Sequence, residues 1–478
     1  MLNPVQHLPG NVSLRPKSVY NVRGGAVLSE NHLSPHVIER AVRLSYAQAM
    51  LASVYAASTG GMFIVGYALK LGADDVQIGL MSTIPMCAVV SQLVSAAMIE
   101  RGASRRRMTI AAALVNVSGW ALIILLPYAM SHASADARIG ALIGIITLVT
   151  VFAHVSGNAR SSWLGDLIPE DRRGGFFGKM TMYGGIIGAV FAVVEGRFLD
   201  YVKRMGVGAF SWLFAFGMLF GLANALLFVP QSDVKAERHV KGGNLPAMIL
   251  ETLRNRALLV VMGYAILWSL QVIAAPFYAT YALRDLKVPF FGLGLVNSAA
   301  ALTMLASSPF WGRVVDRYGC KPVLTACTAC IAPTPLVWLW VTTPVAFYAA
   351  IAPVNLLVGF AIGGFSVALS TLIYKVTPSA GRSVQLAVYS TVVVLLAAPM
   401  PFAGGHLPGW LRALGIEADL RATFYASAIF VAAAAFVSRC ITEPGSRTTS
   451  ELVSNLPGHI RRPATLTADD RQPGDQVP

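Results

Sequence analysis

Twelve long runs of apolar residues limit what this chain can fold into more than any other feature. A helix needs about 20 apolar residues to cross a bilayer core about 30 Å thick. The runs extend approximately over 46–69, 77–99, 108–130, 139–160, 176–199, 208–229, 257–282, 289–312, 322–342, 345–373, 384–405 and 421–441. They predict an all-α polytopic membrane protein with twelve transmembrane helices, interrupted by the prolines of the ninth and eleventh runs.

The composition excludes several other classes of protein. Charged residues make up 13% of the 478 residues, whereas a soluble domain carries roughly 25%. We find no phosphate-binding loop and no His, Cys or acidic cluster with the spacing of metal ligands. Cys327 and Cys330 lie inside an apolar run and are interpreted as small helix residues. We therefore expect no enzyme activity, no cofactor and no metal.

Basic residues are distributed unequally between the two ends of the runs. Twelve spans place both termini on one side, and only nine of the 37 Lys and Arg residues lie in loops on the other, which leaves 28 on the terminal side. Lys and Arg accumulate in cytoplasmic loops of membrane proteins. The sequence thus predicts a multi-pass protein of the cytoplasmic (inner) membrane with both termini in the cytoplasm. The net charge of +14 reflects this topology and not nucleic-acid binding.

The runs fall into two groups of six. The predicted organisation is an N-terminal cytoplasmic tail at 1–43, a first bundle at 44–230, a cytoplasmic central loop at 231–256, a second bundle at 257–442 and a disordered cytoplasmic tail at 443–478. Within the central loop, Leu245–Leu253 has apolar residues at helical spacing and predicts a short surface helix.

Three short segments of the first half recur in the second half in the same order. They are 67–70 with 281–284, 99–107 with 312–321, and 166–174 with 375–383. Internal repeats of this kind are typical of transporter folds. They predict that a six-helix unit has been duplicated.

The repeated loops resemble those of the major facilitator superfamily. The segment 312–321, G-R-V-V-D-R-Y-G-C-K, is similar to the signature loop between helices eight and nine, and 98–107 looks like its first-half copy, with Glu100 in place of the usual Asp. The segment 166–174 resembles the P-x-x-x-R-G element after helix four. The resemblance implies two six-helix bundles related by pseudo-twofold symmetry, a central cavity, and secondary transport by alternating access.

The same resemblance implies an inner latch of charged residues that holds the cytoplasmic helix ends together in the outward-open state. The residues concerned are Glu100, Arg101, Asp166, Arg173, Asp316, Arg317 and Arg382. The alternative is that these charges only determine topology in solvated loops.

Polar side chains form stripes on four runs. On the fourth run, Thr147, Thr150, His154, Asn158 and Ser161 fall within a sector of about 80°. Such a stripe faces either a cavity or another helix. In the resembled superfamily the first and fourth helices of each half line the central cavity. The resemblance therefore implies substrate contacts for Gln48, Tyr55, Thr59, His154, Asn158, Trp268, Gln271, Tyr278, Asn355, Ser366 and Ser370.

Glu195 is the only carboxylate well inside a run and away from its predicted cytoplasmic end. Ionisable residues within a membrane are costly and mark function. Glu195 and His154 are thus candidates for carrying a coupling proton, although Glu195 could instead reach interfacial water. Facilitated diffusion without an ion also remains open.

These features favour a secondary transporter, with import of a small polar organic solute such as a sugar preferred and coupling to an ion expected. One alternative is efflux of a drug, metabolite or siderophore. Another is a receptor or scaffold that keeps the fold without transporting. The expected partners are the lipid bilayer, the solute, and protons or another coupling ion, with no nucleic acid. We expect a monomer.

Overall fold

The computed structural model describes residues 35–168, 170–231, 254–377 and 382–461, together with residue 252. Within these residues, twelve helices are long and apolar enough to cross a bilayer, and all regular structure is helical. The prediction of an all-α protein with twelve spans is confirmed.

Each half of the chain contributes six spans. Spans 1 to 6 cover Ile38–Leu71, Asp75–Ile99, Arg105–Ala129, Ala135–Leu164, Arg173–Tyr201 and Val207–Leu226. Spans 7 to 12 cover Arg256–Asp285, Phe290–Tyr318, Cys320–Val337, Pro344–Val376, Gln385–Ala413 and Ala422–Cys440. We call the side on which span 1 begins the terminal side and the opposite side the distal side. Odd-numbered spans run from the terminal to the distal side.

Several spans are interrupted where their sequence disfavours a continuous helix. Span 1 breaks at Gly60, and Gly61 restarts it with a φ of 54°, a backbone conformation that glycine adopts without strain. Span 11 breaks at Pro399, which cannot donate a backbone hydrogen bond. Span 9 loses its regular helix at Ile331, before Pro333. The predicted interruptions of spans 9 and 11 are confirmed.

Small residues let neighbouring helices approach closely within each half. Gly184 of span 5 lies against Ser53 of span 1, and a Cβ at Gly217 of span 6 would stand 2.5 Å from Cβ of Ser58. Without a hydrophobic force between helices in lipid, such close packing holds membrane bundles together. Spans 1, 5 and 6 therefore form one tightly packed unit.

The two halves share a buried apolar cluster near the distal side. It includes Phe63 and Tyr67 of span 1, Phe210 of span 6, and Phe277 and Leu293 of the second half. The aromatic rings meet in offset and edge-to-face pairs, such as Phe210 with Phe290 at 5.7 Å between centroids. This cluster makes the distal ends of both halves a common core.

The expectation of a disordered C-terminal tail is wrong for its described part. A helix covers Thr449–Arg461, and Leu452 is 1% exposed within the core of the second half. The backbone N–H of Arg447 donates to the carbonyl of Tyr318. One buried leucine and a few polar contacts dock this segment on the second half, although its composition is typical of disordered segments. The predicted surface helix at Leu245–Leu253 lies outside the described residues, apart from Thr252.

Glu443 attaches this tail to the terminal ends of spans 9 and 10. Its carboxylate accepts hydrogen bonds from Nζ of Lys375 and from the backbone N–H of Lys321, both at 2.8 Å, and its side chain is only 6% exposed. Burial alone would raise the pKa of Glu443, but the hydrogen bonds from Lys375 and Lys321 outweigh it and hold the pKa below its usual value.

We predict that Glu443→Gln lowers the free energy of unfolding by about 1 kcal/mol, since Lys375 is half exposed and solvent screens the pair. A depressed folded-state pKa gives a contribution that is present above the pKa of an unfolded glutamate and is lost as the pH falls through the folded value. Thermal unfolding in detergent at several pH values measures it, with the exposed Glu417→Gln as control. A stability difference that persists unchanged in acid would contradict this assignment.

Candidate functional site

A central cavity of about 640 Å³ lies between the two halves. Spans 1, 2, 3 and 4 of the first half and spans 7, 8, 9 and 11 of the second contribute to its wall. The residues that define its character are Thr59, Met62, Met81, Ser82, Trp120, Thr150, Tyr278, Asn297 and Trp338. It is large enough for a small organic molecule.

The cavity lies where spans 1 and 7 are both interrupted. Span 1 breaks at Gly60 and Gly61, and span 7 passes through a 3-10 turn at Gln271–Ala274 before Pro276. These are the first spans of the two halves, and Gly60, Gly61 and Pro276 line the cavity. Interrupted helices at corresponding positions of two repeats are typical of substrate sites in transporters.

The cavity wall is mainly apolar and aromatic. The rings of Tyr278 and Phe424 are stacked at 4.8 Å, and Trp338 lies 5.0 Å from Tyr278. Hydrogen-bonding groups come from Thr59, Ser82, Thr150, Tyr278 and Asn297. Among the described residues that line the cavity there is no Asp, Glu, Lys, Arg or His. The site can thus stack on a ring and offer a few neutral hydrogen bonds.

Two of the predicted substrate residues, Thr59 and Tyr278, line this cavity. The neighbouring predictions in span 1 lie elsewhere in the first half. The hydroxyl of Tyr55 donates to Asn116 of span 3 at 2.8 Å, and Gln48 is buried 3.4 Å from Nε2 of Gln231.

Two residues of the polar stripe of span 4, His154 and Asn158, face span 2. His154 places one ring nitrogen 3.1 Å from the carbonyl of Pro85 and the other 3.0 Å from the amide of Gln92. The amide of Asn158 donates to Ser95 and to the carbonyl of Gln92. Such hydrogen bonds join helices inside a membrane. From this stripe, Thr150 lines the cavity.

The remaining predicted substrate residues belong to the second half. Trp268 stacks on Phe365 of span 10 at 4.0 Å between ring centroids. Gln271 and Asn355 are half-buried, and Ser366 and Ser370 are exposed. Ser370 lines a separate pocket of about 380 Å³ between spans 10 and 11. None of these five appears among the described residues that line the central cavity.

On the distal side, polar contacts join the two halves. A guanidinium nitrogen of Arg284, at the end of span 7, lies 2.6 Å from a carboxylate oxygen of Asp75, at the start of span 2. The carboxylate of Asp200, at the end of span 5, accepts from the backbone N–H groups of Phe290 and Phe291 at 3.1 and 2.8 Å. It therefore caps the first turn of span 8, where the helix dipole favours an anion.

The backbones of the two halves also touch on the distal side. A Cβ at Gly79 would lie 2.3 Å from the carbonyl oxygen of Pro401, and a Cβ at Gly405 would lie 2.5 Å from that of Asp75. Spans 5 and 8 approach in the same way at Gly196 and Phe290. These contacts close the cavity toward the distal side.

The predicted latch lies at the opposite, terminal side. The side chains of Glu100, Asp166 and Arg382 are outside the described part of the structure. Arg101, Asp316 and Arg317 are exposed. Arg173 donates to the carbonyl of Ile168, within its own half. The latch stays a prediction.

Sequence reasoning missed the distal contacts. The charges of the predicted latch lie at the terminal ends of the helices, whereas Asp75, Asp200 and Arg284 all lie at distal ends. The sequence carries no clear signal for them, because these three are among many charged residues at the distal ends. Asn297 and Ser82 were missed because neither belongs to a polar stripe like that of span 4.

The central cavity and the repeat can be compared with known proteins. The family model for the Major Facilitator Superfamily matches residues 47–282 and, a second time, residues 258–467. One match for each half supports the duplication predicted from the repeated loops. No curated protein sequence matches the chain significantly.

Several solved transporter structures share the fold. A nucleoside transporter aligns with a TM-score of 0.65 and 13% identity, covering 84% of this chain and 100% of that one. A POT family transporter in complex with a thioalcohol-conjugated peptide aligns with a TM-score of 0.63 and 16% identity, covering 88% of this chain and 96% of that one. A bacterial homologue of the iron transporter ferroportin, in an inward-facing state, aligns with a TM-score of 0.64 and 12% identity, covering 86% of this chain and 99% of that one.

The identities to these structures are too low to transfer a substrate, and they speak for the fold alone. The two family matches cover most of the chain and agree with the twelve spans and the interrupted helices around a central cavity. The chain therefore belongs to the major facilitator superfamily and is a multi-pass membrane transporter.

Proposed function

We propose that the protein carries a small organic solute without net charge across the cytoplasmic membrane by alternating access. The observation that carries this proposal is the cavity at the interrupted spans 1 and 7, whose described wall has aromatic rings, hydroxyls and an amide but no Asp, Glu, Lys, Arg or His. Burying a charged solute there would leave its charge uncompensated. A ring-shaped solute with a few hydroxyl or amide groups, such as a sugar or a nucleoside, matches the wall.

The basic residues support the terminal side as cytoplasmic. With that orientation, the distal contacts close the outer face and the conformation is inward-facing. The predicted latch at the terminal side would then be open in this state and would form when the protein turns outward. The halves would exchange one set of contacts for the other, while the cavity stays between them.

Efflux of an amphipathic drug or metabolite is the second candidate. Met62, Met81 and Trp120 in the wall favour it, because flexible and aromatic side chains accommodate varied apolar molecules. The direction of transport separates the two candidates. A protein that moves no solute in either direction would instead support the receptor or scaffold interpretation.

Asn297 tests whether this cavity binds the solute. A panel of sugars, nucleosides and amphipathic drugs is screened for stabilisation of the purified protein, since a ligand that binds the folded state raises its stability. For the compound that stabilises the protein, we predict that Asn297→Ala weakens binding about tenfold, as expected for the loss of one buried hydrogen bond.

Asn355→Ala is the matched control, because it makes the same chemical change in span 10, outside the central cavity. Transport of the same compound into liposomes should follow the same order. If Asn355→Ala weakens binding and Asn297→Ala does not, the solute binds along the span 10 stripe and the cavity assignment is wrong.

The ion pair between Asp75 and Arg284 tests the closure of the outer face. Asp75→Asn or Arg284→Gln should raise the outward-open population a few-fold, because a half-exposed pair contributes about 0.5–1 kcal/mol. The readout is labelling of Ser82→Cys in the cavity by a membrane-impermeant maleimide added outside, in a background with the exposed Cys87 and Cys440 changed to Ser.

Asp136→Asn serves as control, since Asp136 lies on the same side but accepts from Gln77 within the first half. The charge-reversed double variant Asp75→Arg with Arg284→Asp should restore slow labelling. Equal labelling of the wild type and both single variants would show that the pair does not hold the halves together.

A further inference from the structure

Glu195 is buried inside the first half with only one of its carboxyl oxygens in contact with a polar group. Its side chain is 3% exposed. Oε1 lies 2.6 Å from the hydroxyl of Ser58 in span 1. Within the described structure, Oε2 has no hydrogen-bond partner. An ionised carboxylate in this position would leave charge on an oxygen without a donor, which is costly.

The number of hydrogens available at Ser58 bears on whether the Glu195 carboxyl is ionised or neutral. The Ser58 hydroxyl lies 2.9 Å from the carbonyl of Val54 and 2.6 Å from Glu195. A hydroxyl has one hydrogen, and the carbonyl only accepts. If Ser58 donates to Val54, the hydrogen of the shorter contact comes from a protonated Glu195. A neutral carboxyl thus satisfies both contacts at once.

The surroundings of Glu195 provide no compensating positive charge. Three segments of neighbouring spans lie alongside Glu195, and none of them contains Asp, Glu, Lys, Arg or His. They are 53–62 of span 1, 210–220 of span 6 and 290–300 of span 8. The one titratable group in these segments is the phenol of Tyr55, which donates to Asn116.

On its own helix, two charged residues lie nearer the distal end than Glu195. Arg197 is exposed, with its guanidinium over Phe291, and Asp200 caps span 8. Neither forms a described hydrogen bond or ion pair with the Glu195 carboxyl. No described helix around Glu195 therefore places a charged partner on its carboxyl, which favours the neutral form.

Glu195 is next in the chain to a residue of the outer closure, and its partner Ser58 is next to a residue of the cavity wall. Gly196, the next residue, meets the backbone of Phe290, where spans 5 and 8 close the distal side. On span 1, Ser58 is followed by Thr59, which lines the cavity. When spans 5 and 8 separate, water reaches Glu195 once span 5 also shifts against span 1, whose Ser58 covers the carboxyl. A displacement of Thr59 in the cavity wall would move the neighbouring Ser58, the hydrogen-bond partner of Glu195.

We infer that Glu195 is a proton-dependent switch of the distal side, at which opening releases a proton to water and closure takes one up. The carboxyl holds a proton while the distal side is closed. When spans 5 and 8 separate, water reaches the group, the O–H bond of the carboxyl breaks, and the proton leaves to the distal side. The hydrogen of Ser58 then turns from Val54 to the carboxylate. This inference rests on the proposed alternating access and makes its distal opening depend on pH.

His154, the other coupling candidate of the sequence, has both ring nitrogens engaged by Pro85 and Gln92. It neither lines the described cavity nor lies at the contact between the halves. The geometry therefore points to Glu195 in preference to His154.

A distance measurement across the distal side tests the inference without a known solute. Spin labels are placed at Lys70→Cys and Leu414→Cys, both exposed at distal ends, one in each half. Cys87 and Cys440 are changed to Ser, and the protein is studied in lipid nanodiscs. If opening releases one proton, the ratio of open to closed molecules rises with pH by up to about tenfold per unit.

Glu195→Gln should abolish this pH dependence and keep the distal side closed, because the amide stays neutral. Asp200→Asn is the comparison on the same helix. It should raise the open fraction at every pH but keep the pH dependence. If Glu195→Gln retains the full pH dependence, or if sodium and not pH changes the distances of the wild type, the inference is overturned.

Infrared spectroscopy supplies an independent readout of the proton. The closed wild type should show the carbonyl band of a buried protonated carboxyl, and Glu195→Gln should lack it. Absence of that band from the closed wild type contradicts the inference even if a solute is transported. A band and pH-dependent distances without transport of any solute would instead contradict the proposed function and leave the proton site standing.

Discussion

The close approach of helix backbones from the two halves on the distal side is the contact on which the rest of the structure depends. At Gly79, Gly196 and Gly405, the absence of a side chain lets helices of the two halves touch. The ion pair of Asp75 with Arg284 and the cap provided by Asp200 lie at the same level. Because of this closure, the central space is a cavity and not a channel. A packed contact of this kind is either made or broken, which suits a switch between two states.

Lipid imposes a second condition, since polar groups inside the membrane must find their partners within the protein. His154, Asn158 and Tyr55 meet this condition with neighbouring helices of the first half. Thr150 and Asn297 instead line the cavity, and Thr59 lines it while donating to the carbonyl of Tyr55. Glu195 meets it only in part, because one oxygen lacks a partner. The polar groups thus separate into those that hold a half together and those available to a solute or a proton.

The fold could be predicted almost entirely from the sequence, because length and hydropathy alone determine whether a helix can span a bilayer. The duplication was also visible, in loops whose charges recur. The site was harder to predict. Periodicity gives the direction in which His154 points relative to Thr150, but not which neighbouring helix stands there. Asn297 forms no stripe, so only the packing of span 8 reveals its position.

The C-terminal tail shows another limit of sequence reasoning. Its Pro-rich, charged composition predicted disorder, yet Glu443 lies against Lys321 and Lys375. In the repeated loops, Lys375 stands where the first half has Asp166. The structure gives it a partner from the tail. A contact between residues 68 positions apart leaves no local pattern, so it could not be found without the fold.

A reversible cross-link across the distal side tests the central claim most directly. Asp75→Cys and Arg284→Cys, in the background without Cys87 and Cys440, are oxidised to a disulfide in liposomes. If the distal side must open and close in each cycle, cross-linked protein does not exchange solute, and reduction restores the exchange to the level of the single variants. Unchanged solute exchange by the cross-linked protein would contradict the account.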